Sequence, residues 1–187
     1  MAKELPALPD HLIDWVLAQP VFFVATAPSG SGGHVNVSPK GLDCLRVLGP
    51  TRVAYLDLTG SGAETIAHLR DNGRITLMWC AFEGAPRILR FAGRGEAVAV
   101  GDPRFAELTA RFPDHPGARS VVVVDADRIA TSCGYAVPLM RLEGERDDLV
   151  RWAEHRGRDG LERYWADKNA ASIDGLAALG PAPGAAR

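Results

Sequence analysis

Apolar residues recur along this chain in two rhythms. Leu12, Ile13, Val16 and Leu17 repeat at helical spacing behind Asp10, which predicts a helix over Asp10–Gln19 that Pro20 ends. The rhythm then changes. "VFFVATA" (Val21–Ala27) is a β-branched and aromatic run, and "HVNVS" (His34–Ser38) alternates polar with apolar. With the turn "PSGSGG" between them, the two read as paired strands. "LDCLRVL" is compatible with a further short strand before the Gly49–Pro50 turn, and "RVAYLDL" (Arg52–Leu58) is a strand. "RITLMWCAF" (Arg74–Phe82) and "RILRFAGRGEAVAV" (Arg87–Val100) form a long antiparallel pair around "EGAP", and "SVVVVDADRIATSC" (Ser120–Cys133) is the last long strand.

Helical spacing returns three times. A glycine-rich loop after Leu58 leads into a helix from about Gly62 to Asn72, with Gly73 at the position of a left-handed C-terminal cap. "DPRFAELTARF" reads as a helix with Asp102 as N-cap and Pro103 at its first position. From Arg146 to about Lys168 the pattern is helical again, interrupted at Gly157 and Gly160, and the tail "GPAPGAAR" is expected to fray. Long hairpins joined by short turns favour an antiparallel sheet that closes on itself, because closure removes exposed edges. Regular strand–helix alternation, which a doubly wound sheet requires, is missing. The 187 residues carry no internal repeat or clear linker, so one domain is expected over 1–187, with a β core at about 20–132 and a C-terminal helical segment and tail at 145–187.

Composition narrows the function classes. The net charge is −2, so no basic surplus argues for nucleic-acid binding. No apolar run reaches bilayer length, and "MAKELPALPDHLIDW" has no apolar signal core, so no membrane partner and a cytoplasmic location are expected. Three widely spaced cysteines (Cys44, Cys80 and Cys133) form neither a disulfide framework nor a zinc motif and are expected to be buried or half-buried thiols. Five histidines include no H-x-H or H-E-x-x-H, so no metal site is expected. His68 follows Glu64 by four residues, the spacing of a surface pair, and His34 reads as a turn residue.

The loop Thr59–Ala63 is the most informative segment. Ser61-Gly62-Ala63-Glu64 matches a capping box, and the helix start it implies offers backbone N–H groups and a positive dipole end to an anion. A capped start alone specifies no ligand, and neither common nucleotide fingerprint is present. Lys40, at a strand end in "VNVSPKG", adds a cation, and Ser38, Thr59, Ser61 and Thr65 add hydroxyls. A solvated turn lysine is the competing reading of Lys40. Trp79 alternates with Leu77 and Ile75, as a core residue does. Trp152, Tyr164 and Trp165 stand at helical spacings with Leu149 and Leu161, the pattern of a docking face. No nucleophile–base set can be assembled.

Taken together, "HVNVSPKG", "VAYLDLTGSGAETIAHLRDNGRITLMWCAFEG" and "RILRFAGRGEAV" resemble the pyridoxamine 5′-phosphate oxidase-like family of flavin-binding split barrels, over roughly residues 20–132. The resemblance implies a mainly β fold with flanking helices, a six-stranded antiparallel split β-barrel of the FMN-binding type. It also implies a homodimer with FMN in a cleft at the interface and a small organic substrate. Carried over by position, Val37, Ser38 and Lys40 would line the isoalloxazine and reach toward the ribityl chain or phosphate. Leu58 and Thr59 would lie under the ring, and Ser61, Glu64 and Thr65 would stand by the phosphate.

The sequence also departs from the vitamin oxidases. They carry an Arg-Lys pair where Glu64 and Thr65 stand here, so Arg90 or Arg94 is a candidate replacement cation. "RYWADKNAASIDGL" differs from their closing motif, which argues against pyridoxamine phosphate as substrate; the resemblance suggests that it folds over the cleft with Lys168, Asn169 and Asp174 near the substrate. Tyr135 would cover the flavin or cap the barrel. The leading expectation is an FMN-dependent oxidoreductase. The alternatives are deazaflavin in place of FMN, a non-catalytic flavin or heme carrier, and a cofactor-free β-barrel interaction module.

Overall fold

The structure, a computed structural model, describes residues 3–179, so the expected fraying of residues 180–187 lies outside the described residues. The strands are β1 (Lys3–Leu5), β2 (Phe22–Thr26), β3 (Asn36–Lys40), β4 (Leu45–Gly49), β5 (Arg52–Leu58), β6 (Arg74–Cys80), β7 (Ile88–Ala99) and β8 (Ala118–Ser132). The helices are α1 (Asp10–Leu17), α2 (Glu64–Asn72), α3 (Phe105–Thr109) and α4 (Asp148–Lys168). All these strands belong to one antiparallel sheet of order β3-β2-β6-β7-β8-β5-β4, with β1 added to β8.

Among the described residues the sheet therefore has eight strands where six were expected, and it is not a closed ring. β1 is short and carries two charged residues, so no period marks it; it pairs only with the far end of β8. β7 and β8 are long enough to serve two groups of strands. The first part of β7 pairs with β6, and the first half of β8 pairs with β5. The path ends at β3 on one side and β4 on the other, and among the described residues no hydrogen-bonded ladder joins those two edges.

Both faces of the sheet are covered along β5 and the first half of β8, whereas β6 and β7 alternate buried with more open positions, and the sequence shows why. Val121–Val124 in β8 are all buried, as a continuous apolar run requires. Phe22, Tyr55, Leu77, Trp79, Leu89 and Phe91 fill the interior, with Trp79 stacked on Phe22 at 5.6 Å, the core role its alternation predicted. α2 packs across β2, β6 and β7. It ends at Gly73, whose φ of 71° lets its N–H bond back to the Leu69 carbonyl at 3.0 Å.

Several local expectations are corrected. α3 spans only Phe105–Thr109, because the Asp102 carboxylate accepts from the Arg104 N–H and side chain in a turn instead of capping a helix. α4 kinks at Gly157, but Gly160 stays helical and buried. Cys133 is exposed, unlike Cys44 and Cys80. His68 is fully buried and bonds Thr26 Oγ1 through Nδ1 at 2.9 Å, because α2 turns this face inward rather than to solvent. Burial holds its imidazole below the ordinary histidine range, against the opposing charges of Asp174, Glu64 and Asp71.

Candidate functional site

β3 and the loop between β5 and α2 face each other across the unpaired part of the sheet, and a cavity of about 370 Å³ lies between them. Seven of the eight residues selected from the sequence line it: Ser38, Lys40, Leu58, Thr59, Ser61, Glu64 and Thr65. Val37 does not; strand alternation turns it outward, and it is 62 % exposed. Among the described residues no histidine lines the cavity. Cys44 does, and burial pushes its thiol up to about 12, so it presents a neutral S–H there.

The electrostatic centre is a residue pair that the sequence reading passed over. Asp57, 1 % exposed, accepts from Lys40 Nζ at 3.1 Å and from Arg119 Nε at 2.8 Å, with Ser120 Oγ at 3.2 Å. Burial alone would raise this carboxyl, but the two adjacent cations outweigh it and hold Asp57 below the usual carboxylate range. The Lys40–Asp57 contact joins β3 to β5, which are not neighbours in the sheet, so an ion pair bridges the split that backbone hydrogen bonds leave open. A signal for Asp57 was present: an acid inside an apolar strand is rarely buried without a cationic partner. Nothing local to "YLDL" named Arg119 as that partner.

Arg119, rather than Arg90 or Arg94, is the second cation of the cavity. Arg90 bonds Ser132 Oγ, and Arg94 donates to the Asn72 carbonyl at the C-terminus of α2. Arg119 Nη1 donates to the Gly62 carbonyl at 2.9 Å and to Asn169 Oδ1 at 2.7 Å. Among the described residues Nη2 has no hydrogen-bond partner; it lies 3.9 Å from where a β-carbon on Gly60 would stand.

The capping box does not form. α2 begins at Glu64 behind Ala63, with no side-chain cap. Other bonds fix the loop instead: both the Thr59 N–H and hydroxyl donate to the Gly117 carbonyl at 2.8 Å, and Arg119 takes the Gly62 carbonyl. With the chain held there, Ser61 is drawn away from the first turn. The Glu64 carboxylate folds back over Gly62 into the space a β-carbon would occupy. Ser38 Oγ is buried in the same wall with no hydrogen-bond partner among the described residues. Thr65 Oγ1 accepts from Asn36 Nδ2 at 3.0 Å.

Of the remaining candidates, Trp165 is a buried hydrogen-bond donor to Thr59 Oγ1, while Trp152 and Tyr164 pack edge to face under Arg156. Asn169 reaches the loop, Asp174 binds His34, and Lys168 meets Asp167 at the surface. Tyr135 is 83 % exposed, so it does not cap the barrel in this chain.

Comparison with known proteins follows the same outline. Residues 8–133 match the family model described as pyridoxamine 5′-phosphate oxidase. The chain is 43 % identical over 190 residues to the pyridoxamine 5′-phosphate oxidase family protein ustO of Aspergillus flavus, a match covering 92 % of this chain and 76 % of that one. The crystal structure of a variant of HupZ from Group A Streptococcus superposes with a TM-score of 0.52 at 21 % identity, over 67 % of this chain and 99 % of that one. A putative pyridoxamine 5′-phosphate oxidase from Lactobacillus delbrueckii gives a TM-score of 0.52 at 18 % identity, over 68 % of this chain and 98 % of that one. These two likenesses concern the fold alone.

Proposed function

The chain belongs to the pyridoxamine 5′-phosphate oxidase family, and on that premise we propose that it is a flavoprotein that binds FMN in the β3/β5–α2 cavity and oxidises or reduces a small organic substrate. The observation that carries the reading is the chemistry of the cavity wall. An uncapped helix start, an arginine with one terminal nitrogen unpartnered among the described residues and a buried, unpartnered hydroxyl at Ser38 converge on one space. Those are donors without acceptors, which suits a phosphorylated ligand. Leu56 and Leu58 give the same cavity an apolar side for a flat ring.

Bound there, FMN supplies the hydride or electron chemistry. The chain's own residues hold and orient. Arg119 and the α2 amides meet negative charge, Asp57 keeps Arg119 and Lys40 from swinging apart, and Ser38 offers a hydroxyl to a polar edge. Burial keeps the Cys44 thiol protonated, so it faces the cavity as a neutral S–H. Cavity charge is balanced rather than basic, since Lys40 and Arg119 stand against Asp57 and Glu64. That weakens phosphate binding relative to a site with two arginines and sets the affinity by the position of Glu64. A homodimer completes the site: Val35 and Val37 on the β3 side and Tyr135, Leu139 and Met140 after β8 are large apolar side chains open to solvent.

A second reading, a flavin carrier without turnover, is favoured by the engagement of both cavity cations, Lys40 and Arg119, in ion pairs with Asp57. One experiment separates the readings. Purified protein is mixed with FMN, freed of excess and examined by visible spectroscopy, then offered NADH or NADPH without oxygen. Flavin retained near one per chain and bleached by the nucleotide is the expected result. Retention without bleaching by any donor favours the carrier, and a colourless protein refutes both.

A further inference from the structure

α4 and the segment behind it lie beyond the residues that match the family model, yet they grip the cavity loop. The Trp165 indole N–H donates to Thr59 Oγ1 at 2.8 Å. Asn169 uses both ends of its amide: Nδ2 donates to the Gly60 carbonyl at 3.1 Å, and Oδ1 accepts from Arg119 Nη1 at 2.7 Å. All four side-chain partners (Thr59, Arg119, Trp165 and Asn169) are buried. A buried amide contributes little net stability over an apolar residue of the same shape, but it fixes geometry, because each unmade bond is costly.

The geometry it fixes is specific. In a trans peptide the C=O and the following N–H point in opposite directions. Gly60, Ser61 and Gly62 line the cavity, whereas Asn169 stands outside it. By holding the Gly60 carbonyl, Asn169 turns the Ser61 N–H toward the cavity and keeps a repulsive carbonyl oxygen out. Its Oδ1 takes up one side of Arg119 Nη1, which leaves Nη2 for the cavity. A second hook ties the segment to the residues just before β3. The Asp174 carboxylate accepts from the His34 N–H at 2.8 Å and contacts its Nδ1 at 2.7 Å, just before β3. The turn between the hooks is held by the Ala171–Ala177 bridge and by Ala178, buried against Ala63, Ile66 and Ala67.

We infer that Asn169 and Trp165 are positioning residues: the C-terminal segment is a clasp that sets the Thr59–Gly62 loop and Arg119 for an anionic ligand, a phosphate monoester under the flavin reading on which this rests. The test uses the full chain with Asn169→Ala and the milder Trp165→Phe, which keeps an aromatic ring and removes one donor. Hydrogen exchange of the ligand-free protein is read at the Thr59 amide against the β7–β8 amides. Affinities for FMN and for riboflavin, which lacks the phosphate, are read in parallel.

Asn169→Ala should exchange at least tenfold faster at the Thr59 amide, which bonds the Gly117 carbonyl, with β7–β8 unchanged, and Trp165→Phe about threefold faster. FMN should weaken at least tenfold in Asn169→Ala, and riboflavin less than twofold. Unchanged loop exchange overturns the clasp whatever flavin binds. Equal weakening of FMN and riboflavin overturns it too, as general loosening. If the wild type binds neither flavin, the flavin reading fails by itself. The clasp is then decided by loop exchange and by whether orthophosphate slows that exchange in the wild type but not in Asn169→Ala.

Discussion

Replacing Asp57 by asparagine removes a charge and almost no volume, so it isolates the ion network from packing. The wild-type carboxylate takes Lys40 at 3.1 Å, Arg119 at 2.8 Å and Ser120 at 3.2 Å, all at a site 1 % exposed. Breaking a buried pair by deleting one partner costs about 3–5 kcal/mol, since a charge is left uncompensated. Lys40 is 18 % exposed and can swing toward solvent, whereas Arg119 at 6 % cannot, so the lower figure of about 3 kcal/mol applies. For a chain of this size that is a fall in Tm of about 6–12 °C.

The pH dependence follows from the direction of the shift. Asp57 has a lowered folded-state pKa, so its contribution is present above the unfolded value of about 4 and is lost as pH falls through the folded value. Urea denaturation followed by tryptophan fluorescence should show the full gap at pH 7. Below about pH 4 the gap should narrow by up to about 1.4 kcal/mol per pH unit. A gap under about 1 kcal/mol at pH 7, or one that widens in acid, would refute the account of Asp57 as the anion that joins the two halves of the sheet.

Other expected outcomes concern the same loop. Glu64→Gln removes the carboxylate folded over Gly62, so FMN should bind about tenfold tighter, about 1.4 kcal/mol, with riboflavin unmoved; a titration showing weaker FMN binding would make Glu64 a ligand contact instead. Ser61→Ala should change stability by less than about 0.5 kcal/mol, because Ser61 caps nothing; a loss of about 1 kcal/mol or more in chemical denaturation would restore the capping box. In the native protein at pH 8, Cys133 should react with a thiol reagent well before Cys44 and Cys80, whose thiols burial pushes up; fast loss of Cys44 would place it in an open, ionising site.

Much of this protein was written in local pattern. Two-residue alternation located the long hairpin of β6 and β7, the apolar run located β8, and Gly73 located the end of α2. Seven of the residues picked along "VNVSPKG" and "LTGSGAET" meet at one cavity because strand ends and a helix start are themselves local features. The errors came where a residue had two partners to choose from. Ser61 and Glu64 satisfy a capping motif, but the bonds Thr59 donates to the Gly117 carbonyl and Arg119 donates to the Gly62 carbonyl fix the loop in another shape. His68 and Glu64 have surface-pair spacing, but the rotation of α2 over β2 puts His68 inside.

Only the tertiary structure decided which charges meet. Asp57 and Arg119 are 62 residues apart, Thr59 and Trp165 are 106 apart, and His34 and Asp174 are 140 apart. Periodicity reports which face of an element is buried, since burial follows the pitch of a helix or the pleat of a strand. It carries no information about which distant polar group arrives at that face. A buried carboxylate or amide demands a partner, and the sequence by itself states the demand; the packing of sheet, loop and clasp supplies the answer.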